Sequence, residues 1–458
     1  MIASDDPTPK AAAGAAEGQL SNRRNFLAGA GAAALAGLAA ACSPDNDAST
    51  TEDAGGTQGS SGTGADGGTE TGSGTTGVDH RTAGLAAVPF RSGRQLGVLR
   101  APTSAGLVAA FDVAVGSAEE LAATLITLSA EMERVMAGEP GPGADDILPP
   151  PDSGILNAGQ GSTAVTLAVG ASLFDNRFGL ADRAPTELIP MPQFRNDRFV
   201  RPELSHGDLA LLITSDQQQG AVHALHQAVR VTTGKLRLRW VQEGYNDLLP
   251  PEANSIAPTR NLLGFRDGSS NLDTSDEALM DQHVWVQPDD GEPDWAVGGT
   301  YLAVRVIRML IEFWSTAALV RQEQIFGRHR VSGAPFGQSS EGEEPTFVSD
   351  PSDESVPLRS HTRLANPRTP GTSRILRRGF SYLNGADAGG GLDQGLLFLS
   401  FQRSLTSGFL NVQSRLEGEP LEDYIKPVGG GLFFVPPGPG DDSSGTDSWL
   451  GQSLLESA

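Results

Sequence analysis

The sequence predicts an α+β protein built from two ferredoxin-like domains, a duplicated antiparallel sheet with helices. The first half orders its periodic segments strand, helix, strand, strand, helix, strand, and a comparable series begins after Asn246. In the first half Phe111–Val115 alternates as a strand does, and Ala118–Ala137 has apolar residues at helical spacing. Thr163–Val169 and Leu209–Thr214 are apolar strands, Gln219–Val229 is helical, and Leu236–Trp240 closes the set. In the second half Tyr301–Phe313 reads as one long strand and Thr316–Phe326 as a helix. Leu396–Gln402 is an apolar strand, Gly408–Leu416 is helical, and Leu432–Val435 runs into prolines. The expected domains are 85–246 and 247–440, with a tail over 441–458 and fraying expected from Gly438 onward.

Composition narrows the function. A chain of 458 residues has ample material for a core, and its net charge of −23 argues against nucleic acid and against an anionic lipid surface. The single cysteine, Cys42, excludes an intramolecular disulfide, a Cys-x-x-Cys-His haem attachment and a cysteine zinc cage.

Residues 1–42 carry an export signal. Arg23 and Arg24 precede Phe26-Leu27 and an alanine-rich run too short for a permanent span, the order of a twin-arginine signal. Leu38 to Cys42 is similar to a lipoprotein box with its leucine one place early, so two fates stand open: lipidation of Cys42, or cleavage and release. The expected location is periplasmic, cell-surface or extracellular. Residues 43–84 are Ser, Thr, Gly and Asp with almost nothing apolar, and should form a disordered tether.

The chemistry centres on Asn261–Asn271, NLLGFRDGSSN, where Gly264 and Gly268 bracket Asp267. Taken alone, that segment is a solvated Asp-Gly turn. Downstream, RSHTRLANPR (Arg359–Arg368) sets one histidine among three arginines, and ILRRGFSYL (Ile375–Leu383) sets an arginine pair beside aromatics. Of the seven histidines, His223 and His226 share a helix face but lack a third ligand at a suitable spacing. His206 and His283 have no suggestive neighbours, and His329 in GRHR reads as a surface or structural residue. His361 differs: nearby cations suit an anionic cofactor such as haem, although a satisfied loop histidine is the simpler reading of that residue alone.

Together GFRDG (264–268), HTRLANPR (361–368) and LRRGFSY (376–382) resemble the dye-decolourising (DyP-type) peroxidases. The nearest resemblance is to their exported haem peroxidase/deferrochelatase branch of bacterial iron uptake. VGASLFDNRFGL (169–180), QEQIFGRHRVSGAPFG (322–337) and YIKPVGGGLFFVPPG (424–438) extend it over about Leu85–Gly438. The resemblance implies a dimeric α+β barrel-like fold and one haem b per chain. It makes His361 the proximal iron ligand, Asp267 the distal acid–base and Arg377 the distal arginine. It also implies that Gly268, Ser269, Ser270, Asn366, Pro367 and Arg368 line the haem, with Arg368 on a propionate, and that Leu396 and Phe398 wall the pocket. Asp423 falls where the carboxylate behind the histidine is expected, with Glu422 beside it as the alternative. The SSNL after Asp-Gly departs from the commoner threonine- and proline-bearing version.

These assignments make chemical sense. A distal base moves a proton from the inner to the outer oxygen of hydrogen peroxide, so that water leaves, while a permanent guanidinium stabilises the developing negative charge. A reference carboxylate titrates near pH ~4 against ~6.5 for histidine, so an aspartate base implies an acidic optimum. Organic reductants would deliver electrons through aromatics, with Trp240, Trp285, Trp295, Trp314, Tyr301 and Tyr382 as candidates against a core-packing role. Two other functions stay open: a deferrochelatase that releases iron from haem and leaves the porphyrin intact, and a non-catalytic haem-binding lipoprotein. Components of iron-uptake membranes and a second copy of the chain are the remaining candidate partners.

Overall fold

The computed structural model describes residues 87–139, 163–248, 257, 259–366, 372–440 and 448–455. The expected export signal at 1–42 with Cys42, the expected tether at 43–84, Pro367, Arg368 and residues 441–447 lie outside the described residues. The first half contains β1 (Ala105–Val113), α1 (Ala118–Met136), β2 (Thr163–Gly170), β3 (Leu209–Ser215), α2 (Gln218–Val231) and β4 (Leu236–Tyr245). A small hairpin follows, β5 (Thr259–Arg260) and β6 (Arg266–Asp267), then α3 (Glu277–His283). The second half contains β7 (Thr300–Met309), α4 (Ile311–Trp314), α5 (Leu319–Phe326), α6 (His361–Ala365) and β8 (Leu376–Arg377). It ends with β9 (Phe380–Ala386), β10 (Leu392–Gln402), α7 (Phe409–Leu416), β11 (Ile425–Val435) and α8 (Gln452–Leu455).

Both halves have the ferredoxin-like strand order. In the first the neighbours run β2-β3-β1-β4, and in the second β9-β10-β7-β11, all antiparallel. Neither edge is left open. β11 pairs with β2 through Phe433↔Gly170 and Phe434↔Val169, and β4 meets β9 at Tyr245↔Ser381, so eight strands close into one barrel-like sheet. Closure removes the unpaired edges that an open sheet would expose.

Strand alternation divides the core. Val108 and Ala110 of β1 join Leu212, Val304, Val306, Leu397 and Phe401 in one buried cluster. Leu107, Ala109 and Phe111 face the other way, onto Leu121, Leu125 and Leu225 of α1 and α2. Both faces of β1 are therefore covered, which is why GLVAAF is an unbroken apolar run rather than an alternating one. Ser117 starts α1 by accepting the Glu120 N–H at 3.2 Å. At the seam between the halves, Phe380 lies over the register pair Gly106↔Gly244. A Cβ on either glycine would come within 2.4 or 2.5 Å of Phe380.

The structure corrects three expectations. The segment Tyr301–Phe313 is not one strand: β7 stops at Met309 and the chain turns into α4, which buries Trp314 against Phe265 and Tyr424. The last strand begins at Ile425, well before Leu432. The tail is not frayed over 448–455, because Trp449, Leu450 and Leu454 are buried in the core and the Leu450 N–H donates to Ser129 Oγ at 2.9 Å.

Candidate active site

Asp267 owes its position to local geometry. Asn261 Oδ1 accepts the N–H groups of Leu263 (3.1 Å) and Phe265 (3.3 Å), closing the turn that leads into β6. β6 pairs with β5 through Thr259↔Asp267, and the chain then turns at Gly268, whose φ of +109° disfavours any side chain. Arg377 arrives from β8, paired with Ser400 of β10. Asn271 links the two: its Nδ2 donates to the Arg377 carbonyl at 2.8 Å, and its Oδ1 accepts the Arg377 N–H at 2.9 Å. The result is an ion pair, Arg377 Nη1 to Asp267 Oδ1 at 3.3 Å, with side chains 31% and 22% exposed. Oδ2 of Asp267 is left for other work. Gly379 keeps space beside it, since a Cβ there would sit 3.7 Å from Oδ2 and 3.2 Å from Leu396.

His361 opens α6, and Arg415 of α7 pins that short helix by donating to the Leu364 carbonyl at 2.9 Å. The imidazole Nδ1 lies 2.9 Å from Glu419 Oε2 and 3.1 Å from Oε1, and the Glu419 side chain is only 3% exposed. This overturns the expectation for Asp423. Asp423 is exposed at the end of the 3-10 turn Pro420–Asp423, whereas Glu419, immediately before that turn, points inward. Glu422 is not the partner either; it accepts the Gly418 N–H at 3.0 Å. Burial alone would lower the His361 pKa, but the Glu419 carboxylate outweighs it and raises it.

One cavity, about 1850 Å³ with its mouth included, is lined by His361, Asp267 and Arg377 together. Gly268, Ser269, Ser270, Asn366, Leu396 and Phe398 line it as well. Arg305, Arg328 and Arg374 also reach it, and these the sequence reading missed. No local pattern marks them, because each comes from a different stretch of chain. Arg328 donates to Ser270 Oγ at 2.9 Å, and burial pushes its pKa down to about 10. Ser269 Oγ donates to the buried Glu341 at 2.7 Å. Arg305 is held by Asp197 through two hydrogen bonds.

The donor set fits a haem. An imidazole whose Nδ1 is taken by a carboxylate leaves Nε2 for iron. Leu263, Met309, Phe326, Leu396 and Phe398 offer an apolar wall to a flat ring, and Arg328 and Arg374 offer cations to its carboxylates. Elsewhere, no group of three potential metal ligands occurs among the described residues, so His223 and His226 remain a helix-face pair. The candidate relay aromatics Trp240, Trp285, Trp295, Trp314, Tyr301 and Tyr382 are all buried.

The comparisons with known proteins match this arrangement. Residues 95–246 match the family model described as Dyp-type peroxidase, N-terminal, and residues 258–439 match Dyp-type peroxidase, C-terminal. The chain is 41% identical over 372 residues to the deferrochelatase of Yersinia pseudotuberculosis serotype I (strain IP32953), covering 80% of this chain and 85% of that one. It is 41% identical to the deferrochelatase of Escherichia coli O157:H7, covering 80% and 87%. Among solved structures, ferric DtpA from Streptomyces lividans superposes with a TM-score of 0.72 at 34% identity, covering 82% of this chain and 99% of that chain. The DyP-type peroxidase from Cellulomonas bogoriensis gives 0.71 at 29% identity, with coverage of 82% and 99%. With both family models matched in order along a single closed sheet, the chain belongs to the Dyp-type peroxidase family.

Proposed function

We propose that this protein is an exported haem-b peroxidase that reduces hydrogen peroxide and oxidises organic or dye substrates. The observation that carries the reading is that an Asp–Arg pair and a carboxylate-bonded histidine line one cavity. A protein that merely carried haem would need the histidine but neither the base nor the charge stabiliser.

Haem, when bound, supplies the ferric iron at which peroxide is reduced. His361 would hold it through Nε2, with Glu419 fixing the ring by accepting the Nδ1 hydrogen. Arg377 occupies Oδ1 of Asp267, so Oδ2 is the oxygen that takes the first peroxide proton and returns it to the outer oxygen. Arg377 then stands beside the negative charge that grows as the O–O bond lengthens. Gly268, Ser269, Ser270, Asn366, Leu396 and Phe398 act as haem-contacting residues, and Pro367 and Arg368 complete that set. The absorption spectrum of the purified protein, before and after peroxide, tests the reading. A protein that stays colourless when offered haemin overturns it.

A second reading has specific support: relatives 41% identical are deferrochelatases. There haem is substrate rather than cofactor, and the products are free iron and intact protoporphyrin, detectable by a chelator and by porphyrin fluorescence. Twin-arginine export, lipidation of Cys42 and a link to iron-uptake membrane components belong to the same proposal, supported by the arginine pair at 23–24 and the lipobox-like run. Mass spectrometry of the mature N-terminus decides the fate of Cys42.

A further inference from the structure

The strands that carry Asp267 are too short to hold themselves. β5 and β6 have two residues each, paired through Thr259↔Asp267 and Arg260↔Arg266. A hairpin of that length is not stable alone in water, so groups outside it must impose its geometry. The segment 328–341 supplies several of them. Arg260 donates to the Arg330 carbonyl at 2.6 Å and to the Val331 carbonyl at 2.7 Å. Arg328 donates to Ser270 Oγ at one end of its guanidinium, and at the other to the Gly333 and Glu341 carbonyls at 2.7 and 3.1 Å.

Glu341, at the end of that segment, is 2% exposed. Its carboxylate meets the hairpin at three points. Oε1 accepts the Ala257 N–H at 2.9 Å, just before β5, and the Ser269 hydroxyl at 2.7 Å, two residues after Asp267. Oε2 lies 3.7 Å from Nη1 of Arg266, the residue before Asp267, whose side chain is 4% exposed. Gly333, with φ of +74°, allows this approach: a Cβ there would come within 2.8 Å of Arg266 Cδ and 3.1 Å of Glu341 Cγ. Burying a carboxylate is costly unless its oxygens are bonded, and here the bonds go to both flanks of the acid–base turn. Arg266, Ser269, Ser270 and Arg328 line the cavity with Asp267, and Glu341 braces that wall from behind.

We propose that Glu341 is a positioning residue for the reaction with peroxide. It fixes the turn from Arg266 to Ser269 so that Asp267 Oδ1 stays within 3.3 Å of Arg377 Nη1. It acts through its accepting oxygens on Ala257, Ser269 and Arg266, and touches neither peroxide nor haem.

This inference rests on the peroxidase reading, and one arm of the experiment does not need it. Haem-loaded wild type, Glu341→Ala and Glu341→Gln are mixed with peroxide in stopped flow. The haem-free forms are compared by hydrogen–deuterium exchange of peptides covering 264–271. Glu341→Ala should slow the peroxide reaction by about 10- to 100-fold with the Soret band unmoved, the cost of a misplaced acid–base. Exchange over 264–271 should quicken by about 10-fold or more, as expected for lost buried hydrogen bonds, while β7 and β10 exchange as before. Glutamine keeps an accepting oxygen for Ser269 and Ala257, so Glu341→Gln should lie closer to wild type in both readouts. A wild-type rate in Glu341→Ala overturns the proposal. So does a Gln variant no better than the Ala variant, or exchange that quickens throughout the sheet. Should Glu341→Ala fail to fold, Ser269→Ala removes one of the same bonds, and unchanged exchange over 264–271 in that variant overturns the proposal equally. If the wild type does not react with peroxide, the peroxidase reading itself falls, while the exchange comparison still decides whether Glu341 holds the turn.

Discussion

Substituting Glu419 by Gln isolates one electrostatic feature of the site. The Gln carbonyl still accepts the His361 Nδ1 hydrogen, so the 2.9 Å contact survives while the charge is lost. With the Glu419 side chain 3% exposed, solvent screens that charge little. A charge-assisted hydrogen bond of this kind contributes about 1.5–3 kcal/mol. If the whole of it favours the ferric over the ferrous state, the one-electron potential of the bound haem rises by up to roughly 65–130 mV in Glu419→Gln, since ~59 mV corresponds to a tenfold change in equilibrium. Haem dissociation should also quicken, by about 10- to 100-fold, as seen when the partners of metal-bound histidines are altered. Spectroelectrochemical titration and transfer of haem to an acceptor protein measure the two quantities. Asp423→Asn is the internal control, because Asp423 is exposed and should change neither. A potential that stays put in Glu419→Gln, or moves equally in Asp423→Asn, refutes the assignment of Glu419 as the histidine's partner.

Asp267→Asn should retain the haem spectrum and slow the reaction with peroxide by about 10²–10⁴-fold in stopped-flow absorbance. His361→Ala should lose its Soret band or shed haem on gel filtration; an unaltered band rules out the ligand assignment. Asn271→Ala removes both hydrogen bonds that Asn271 makes to the Arg377 backbone. It should cost about 1–3 kcal/mol in urea unfolding, and peroxide reduction should slow with it. At the seam, Gly106→Ala and Gly244→Ala each force a methyl into Phe380, and about 1–3 kcal/mol of destabilisation is expected from overpacking. Burial raises the Asp208 carboxyl, but Arg177, Ser172 and the Val113 N–H together hold it below its ordinary value. A depressed folded pKa contributes stability at higher pH that is lost as the pH falls through it. Wild type should therefore lose stability between pH ~5 and ~2 more steeply than Asp208→Asn, as thermal melts across that range would show.

Much of this protein could be read from its residues in order. The strand–helix sequence of the first half is visible because each element buries a continuous face, so hydrophobic periodicity survives in the sequence. Asp267, His361 and Arg377 stand out because each sits in a local pattern of glycines or arginines. Other features have no local trace. Glu419 and Asp423 are four residues apart in LEGEPLED, and only the chain path through Gly418 and the Pro420 turn decides which of them meets the imidazole. Arg305, Arg328 and Arg374 reach the same cavity from three separate stretches of the fold. Closure of the sheet is likewise a tertiary fact, since it depends on β2 meeting β11 and β4 meeting β9. Sequence records what each residue needs from its immediate neighbours; partners distant along the chain are chosen only when the folded backbone brings them within hydrogen-bonding reach.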